Sequence, residues 1–306
     1  MSLAQFMDEA DSQGFCIFDF SQIAIATIMQ TYEPTDKIDA NLVRHLVLSS
    51  LKYNVLNRKQ EYPNIIIAVD NSADGGYWRR QKYYFYKKHR EKDRDSSDWD
   101  WEGIFDAIKT VAYELRDNLP YKTLILPHTE ADDIIGVLCK YLDEKFPDAP
   151  VLIVSSDGDM TQTQRFKNVR QWSPGQKKWV KPKEGTWRKD LITKIIKGDG
   201  GDGIANIKSR SDYILTKLDG ERQKSISSKL LAQAFELKDP SELFTGDEFT
   251  RYNENRELVD FEMIPDNIRQ AIITEFETIK VPGRSKIYPY FVKKAIKKLL
   301  DHVNEF

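Results

Sequence analysis

Four runs of apolar residues end in polar punctuation along the first half of the chain: FCIFDF, NIIIAVD, TLILPHTE and PVLIVSSDGD. Short runs in which Ile, Val and Phe follow one another predict strands covered on both faces. Between them Leu42, Val43, Leu46 and Val47, and then Ile104, Ile108, Val111 and Leu115, recur at helical spacing. Strands alternating with helices predict an α/β fold with a mostly parallel central sheet flanked by helices. Beyond about residue 183 the pattern changes to helices with polar connections, as in DLITKIIKGD, and no parallel-strand run follows. The expected organisation is an α/β domain over residues 1–183, carrying an insertion at about 72–98, and a smaller, mainly helical domain over 184–306.

The punctuation is acidic. Asp19, Asp70 and the pair Asp157 and Asp159 stand at the carboxyl ends of three runs, and Glu130, Asp132 and Asp133 follow the fourth in TEADD. Ligands of open α/β sheets bind at that edge, so clusters far apart in sequence are expected to converge. Capping, with Thr129 as N-cap and acids in the first helical turn, accounts for one or two of these carboxylates. A third anion in one turn adds repulsion, and four acidic strand ends exceed what capping explains. They predict a cation site. His45, His89, His128 and His302 are scattered, which argues against zinc and for a hard ion, Mg²⁺ or Mn²⁺, with a phosphodiester as the natural substrate. This many acids suit two ions. GDGGD at 198–202 is either a helix-ending glycine turn or a turn that aims Asp199 and Asp202 at the cations.

Charge enters next. Lys and Arg total 46 against 48 Asp and Glu, a net charge of −2, so any attraction to nucleic acid is local. It is local in GGYWRRQKYYFYKKHREKDR, residues 75–94, where Arg79, Arg80, Lys82, Lys87, Lys88 and Arg90 interleave with Trp78, Tyr83, Tyr84, Phe85 and Tyr86. Cations contact phosphates and ring faces stack on unpaired bases; a solvated charged loop is the competing reading. No apolar run is long enough to cross a bilayer and the first residues lack a secretory pattern, so an intracellular, cytoplasmic protein is expected. Cys16, in an apolar run, and Cys139, on a helix, are expected to be buried and inert.

Two other classes fit parts of the chain. VLIVSSDGDMT has the strand plus DxDxT look of haloacid-dehalogenase-type phosphohydrolases, but it stands in the wrong chain order and leaves Asp19, Asp70 and EADD unemployed. GDGGDG matches G-x-G-x-x-G without a preceding strand. A protein that binds branched DNA without cutting it gains nothing from a negative pocket facing phosphate.

Taken in order, Asp19, Asp70, the pattern W-R-x6-Y-K-x2-R at Trp78, Arg79, Tyr86, Lys87 and Arg90, then EADD, SSDGD and GDGGD resemble the structure-specific 5′ nuclease, or flap endonuclease, family over nearly the whole chain. The resemblance implies a PIN-like fold with a helical arch. It implies a Mg²⁺-dependent 5′ to 3′ exonuclease and flap endonuclease acting on RNA–DNA and DNA–DNA duplexes, which removes RNA primers and adjacent DNA in lagging-strand replication. Its ligands for two Mg²⁺, with Mn²⁺ as a substitute, map onto Asp19, Asp70, Glu130, Asp132, Asp133, Asp157, Asp159, Asp199 and Asp202. The insertion becomes the arch, with Arg79 and Lys87 steering the scissile phosphate and Trp78, Arg80, Tyr83, Tyr84, Tyr86 and Arg90 along the strand. Many relatives follow the GD motif with a Gly-rich hairpin that grips duplex around a potassium ion; IANIKSRSDYILTK lacks those glycines and leaves Lys208 and Arg210 for duplex contact. A monomer is expected.

The two ends carry further expectations. Leu3, Phe6 and Met7 in SLAQFMDEA either fold back on the core or dock into a partner's groove, tethering the enzyme to a sliding clamp. In YFVKKAIKKLLDHVNEF, Val292, Ile296, Leu299, Leu300 and Val303 form one helical stripe expected to pack onto the second domain. Lys293, Lys294, Lys297 and Lys298 then face duplex DNA or an acidic partner such as a single-strand DNA-binding protein.

Overall fold

The computed structural model describes residues 14–306, so Leu3, Phe6 and Met7 lie outside the described residues. The four apolar runs form β1 (Phe15–Asp19), β2 (Asn64–Val69), β3 (Lys122–Ile125) and β4 (Val151–Val154), because each needs cover on both faces. Together with β5 (Val169–Ser173) and β6 (Lys178–Trp179) they make a six-stranded sheet in the order β3-β2-β1-β4-β5-β6. Every pair is parallel except β5 with β6. The sequence did not announce β5: Val169, Gln171 and Ser173 are buried while Arg170 between them is exposed, an alternation with one aliphatic residue.

In chain order the helices are α1 (Phe20–Thr31), α2 (Ala40–Asn54), α3 (Trp78–Lys82), α4 (His89–Asp95), α5 (Trp101–Asn118) and α6 (Ala131–Lys145). They continue with α7 (Trp187–Lys197), α8 (Tyr213–Thr216), α9 (Ser228–Glu236), α10 (Gly246–Val259), α11 (Asp266–Thr278) and α12 (Ile287–Lys293). None is long and apolar enough to cross a membrane.

Packing groups residues differently from a division at residue 183. One unit holds the chain up to Asn71, Asp98–Val180 and Asp266–Phe306; the other holds Ser72–Ser97 and Lys181–Pro265. In the first, Phe18, Ile67, Val47, Leu51, Val111 and Leu115 share a buried cluster with Phe291 and Phe306. α11 joins the same unit, where Tyr141 donates to Glu277 at 2.7 Å and its ring meets Phe276 edge-on. The C-terminal stripe therefore packs on the sheet-bearing unit and not on the second. It is also not one helix. α12 ends at Lys293, Ala295 takes a left-handed φ of 52°, and a 3-10 segment runs from Lys297 to Glu305. The break leaves Val292 exposed while Ile296 and Leu299 are buried. Lys294 is committed to Glu114 at 2.5 Å, where Arg44 of α2 also pairs.

The second unit closes around Ile192, Ile195, Ile196, Leu231, Tyr252 and Leu258, joined by Phe85 and Tyr86 from the insertion. Asn255, fully buried, ties α10 to α7 by donating to the carbonyls of Ile195 and Ala205 at 2.8 and 2.9 Å.

Candidate metal centre

Strand register sets the acidic ends side by side. Asp19 pairs with Ala68, Phe18 with Val154 and Val69 with Ile125, so Asp19, Asp70, the turn before α6 and Ser155–Asp157 all leave the sheet at its carboxyl edge. Reciprocal N–H···O bonds between Asn71 and Thr129, at 3.0 and 3.2 Å, pull the TEADD turn against the end of β2. The N–H of Ala131, first in α6, then donates to Asp70 Oδ1 at 2.8 Å. Asp19 is 2% exposed and caps α1: its Oδ1 accepts from the Gln22 N–H at 3.3 Å and its Oδ2 from the Ser155 hydroxyl at 2.7 Å. Asp157 Oδ1 accepts from the Asp159 N–H at 2.8 Å, and the Asp157 N–H donates back to Ser155 Oγ at 3.1 Å. Ser155 thus joins two of the carboxylate residues through one hydroxyl.

Burial first, and then the charges of Asp70 and Asp157, raise the Asp19 carboxyl to about 7, the bonds from Ser155 and Gln22 opposing them only in part. Acidic oxygens gathered at one edge, one of them buried at the cost of its own ionisation, fit a hard divalent cation. A pH signature follows. The folded Asp19 holds its proton more tightly than the unfolded chain does, so stability is fully present below the unfolded pKa and is lost as pH rises through about 7. In chelator the melting temperature should fall across that window, and Asp19→Asn should flatten the fall. Millimolar Mg²⁺ at pH 8 should raise the melting temperature of the wild type and leave Asp19→Asn unmoved. An identical pH slope in the two proteins would show that Asp19 is not held out of its charge state.

The TEADD turn divides its labour. The N-cap is Glu130, not Thr129, whose backbone is spent on the bridge to Asn71. Glu130 and Asp133 form a reciprocal capping box, with Asp133 Oδ2 accepting from the Glu130 N–H at 3.1 Å. Both side chains are buried, and Asp133 is completely so. Asp133 is therefore placed for capping, while Asp132, one turn position earlier, is half-exposed.

In the second unit Asp199 and Asp202 flank a tight turn. Asp199 and Ile204 exchange backbone bonds at 2.8 Å each, and Asp199 Oδ1 caps the turn through the Gly201 N–H at 2.8 Å. Gly198, with φ 76°, admits no side chain, since a Cβ would stand 2.3 Å from the Ile204 carbonyl. Lys194 pairs with Asp199 at 2.6 Å; Arg90 and Lys87 pair with Asp202 at 2.7 and 3.6 Å. Burial works to raise the Asp202 carboxyl, but Lys87, Lys194, Arg90 and Arg79 outweigh it and hold it below the usual carboxylate range.

The insertion departs from the expected strand-binding loop, because much of it is core. Arg79 is 2% exposed, its Nε donating to the Leu258 carbonyl at 2.9 Å and its guanidinium lying over the Trp78 ring. Trp78 and Tyr86, expected as stacking surfaces, are buried. Arg80 pairs with Glu91, and Tyr83 donates to Glu257. Tyr84 alone of these aromatics is broadly exposed, at 62%, its hydroxyl donating to Asp212 at 2.6 Å. Lys87 holds a left-handed φ of 53°, pinned by its N–H to the Asp202 carbonyl at 2.9 Å; a non-glycine residue there stores strain of the kind found at working sites. Of the two residues assigned to duplex contact, Arg210 is paired with Glu221, and Lys208 is half-exposed. The glycine-poor loop beside them is held by Arg251, which donates to the carbonyls of Ser209 and Ala205 at 3.1 and 3.3 Å. Cys16 and Cys139 are free and buried, as expected.

The N-terminal resolvase-like domain of 5′–3′ exonucleases matches residues 25–191, and the C-terminal region of T4 RNase H matches residues 185–306. The ribonuclease H of Enterobacteria phage T4 is 44% identical over 308 residues, covering 100% of both chains. A 5′–3′ exonuclease of Buchnera aphidicola subsp. Schizaphis graminum is 28% identical over 159 residues, covering 50% of this chain and 51% of that one. Among solved structures, bacteriophage T5 5′-exonuclease with bound zinc aligns with a TM-score of 0.60 at 14% identity, over 87% of this chain and 99% of that one. A T5 flap endonuclease in a pseudo-enzyme–product complex with DNA and metal ions gives a TM-score of 0.60 at 15% identity, over 87% and 100%. These likenesses show the fold. The resemblance read from the motif order and the fold class are borne out, and neither the phosphohydrolase nor the non-cutting binder retains support.

Proposed function

The chain belongs to the 5′–3′ exonuclease family and is a nuclease, and from that premise we propose a Mg²⁺-dependent 5′ to 3′ exonuclease and flap endonuclease that removes RNA primers and adjacent DNA during lagging-strand replication. The observation that carries this reading is the carboxyl edge, where buried Asp19 lies under the charges of Asp70 and Asp157. Two ions are proposed there, with Mn²⁺ able to substitute. Asp19, Asp70, Asp132, Asp157 and Asp159 are their proposed ligands in the first unit, with Glu130 beside them as cap. Asp199 and Asp202 are proposed as cation ligands within the second unit. A divalent cation so held supplies Lewis acidity toward a phosphodiester and charge neutralisation at its oxygens.

The protein's own groups do the rest. Asp19 and Asp157, fixed through Ser155, keep their spacing without help from substrate. Lys87 and Arg90 offer positive charge to phosphate, and Tyr84 offers an exposed ring for an unpaired base. Catalysis in the α/β portion and duplex contact in the helical portion, through Lys208 and neighbours, belong to the same proposal. So do a monomeric state, action in the host cytoplasm, a clamp tether through Leu3, Phe6 and Met7, and a single-strand DNA-binding protein as a partner of the C-terminal region. A 5′-labelled flap and an RNA–DNA duplex, each incubated with Mg²⁺ or with chelator, test the function: short 5′ products in Mg²⁺ alone support it, and intact substrates in both overturn it.

Lys87→Ala should slow single-turnover cleavage by about 10²-fold while changing flap affinity by no more than about threefold, as expected for a group acting on the transition state. Rate and affinity falling together would make Lys87 a binding residue.

A further inference from the structure

Gln171, on β5, is 1% exposed and belongs to no motif. Its Nε2 donates to two carbonyls, that of Ser155 at 3.0 Å and that of Asp157 at 2.6 Å. The opposite amide orientation would set Oε1 against two carbonyl oxygens, so the donor assignment is fixed by its surroundings. Oε1 makes no hydrogen bond among the described residues. Burying an amide with one end unsatisfied costs stability, and the double grip on the β4 exit is what the residue gives in return.

The gripped segment is the one that spaces the carboxylates. Ser155 Oγ bonds both Asp19 Oδ2 and the Asp157 N–H, at 2.7 and 3.1 Å. Between them, Ser156 donates its N–H to Gln22 Oε1 at 3.1 Å, and its hydroxyl lies 2.8 Å from that of Ser173. Every side chain in this clamp is neutral. A lysine or arginine there would pair with the carboxylates and compete with a cation; an amide fixes the backbone and leaves the charge intact. Groups that orient ligands without touching the ion set its affinity.

We infer that Gln171 is a positioning residue for divalent-cation binding: by holding the Ser155 and Asp157 carbonyls it fixes Asp157 against Asp19. This rests on the assignment of Asp19 and Asp157 as ligands.

The test measures Mn²⁺ binding to the full-length protein without nucleic acid, by electron paramagnetic resonance at pH 8, for wild type, Gln171→Met and Asp157→Asn, with melting in chelator alongside. Gln171→Met, close in shape but unable to donate, should weaken Mn²⁺ binding by about tenfold or more. Its cleavage rate should recover at saturating Mn²⁺. A merely structural role would lower melting in chelator and leave the Mn²⁺ affinity of the folded protein unmoved. Wild-type affinity in Gln171→Met, with binding lost in Asp157→Asn, overturns the clamp and leaves the ligand assignment standing. Wild-type affinity in Asp157→Asn overturns both. If Gln171→Met does not fold, Gln171→Asn, which keeps an amide one methylene shorter, is read by the same two outcomes.

Discussion

Asp157→Asn should lower flap cleavage by about 10³-fold or more while leaving flap affinity, measured in chelator, unchanged or slightly tighter. The asparagine oxygen can still accept from the Asp159 N–H, as Asp157 Oδ1 does at 2.8 Å, and the Asp157 N–H bond to Ser155 does not depend on the side chain. The local fold should persist. What disappears is one negative charge at the edge where Asp19 is already held out of its ordinary ionisation, so a cation loses a ligand and the phosphate backbone loses a source of repulsion. Cleavage at the wild-type rate would remove Asp157 from the site.

Arg79→Ala should act through stability. The Arg79 side chain is enclosed, donates to the Leu258 carbonyl at 2.9 Å and covers the Trp78 ring. Truncation leaves that carbonyl without its charged donor and opens space beside a buried indole, a loss of about 2–4 kcal/mol. Denaturant unfolding should report it, with residual activity at low temperature tracking the folded fraction. A variant that melts like wild type yet fails to cut would return Arg79 to the phosphate, where its place in the motif first put it. Lys87→Ala gives the opposite pairing, a slow chemical step in a protein that stays folded, with only the smaller loss of stability that follows from one fewer cation beside Asp202.

The sheet was legible because each buried strand had no polar face to disguise it: Phe15–Asp19, Asn64–Val69 and Val151–Val154 read as continuous apolar runs. The acidic edge was legible for the same reason, since a charge next to such a run must leave the sheet where the run stops. The insertion was harder. Interleaved rings and cations describe a strand-binding surface and a folded lobe equally well, and only packing with Ile192, Ile196 and Leu258 decides that Tyr86 turns inward while Tyr84 does not. Glu130 and Asp133 carry the same charge as Asp132, and the capping geometry that separates them depends on Thr129 being drawn to Asn71, a contact between residues far apart in the chain. The left-handed turn at Ala295 has no glycine to mark it, so one helical stripe hid a break. Gln171 left no trace, because a single neutral amide on a marginal strand has neither periodicity nor motif.

A nuclease working by this chemistry holds its divalent ions on the carboxyl edge of the sheet. Crystals soaked in Mn²⁺ and measured above and below the manganese absorption edge test this placement most directly. Anomalous peaks are expected in contact with the carboxylates of Asp19, Asp70 and Asp157, absent from crystals of Asp157→Asn or occupied there at a fraction of the wild-type height. Strong manganese peaks elsewhere, with none touching those three side chains, would contradict it.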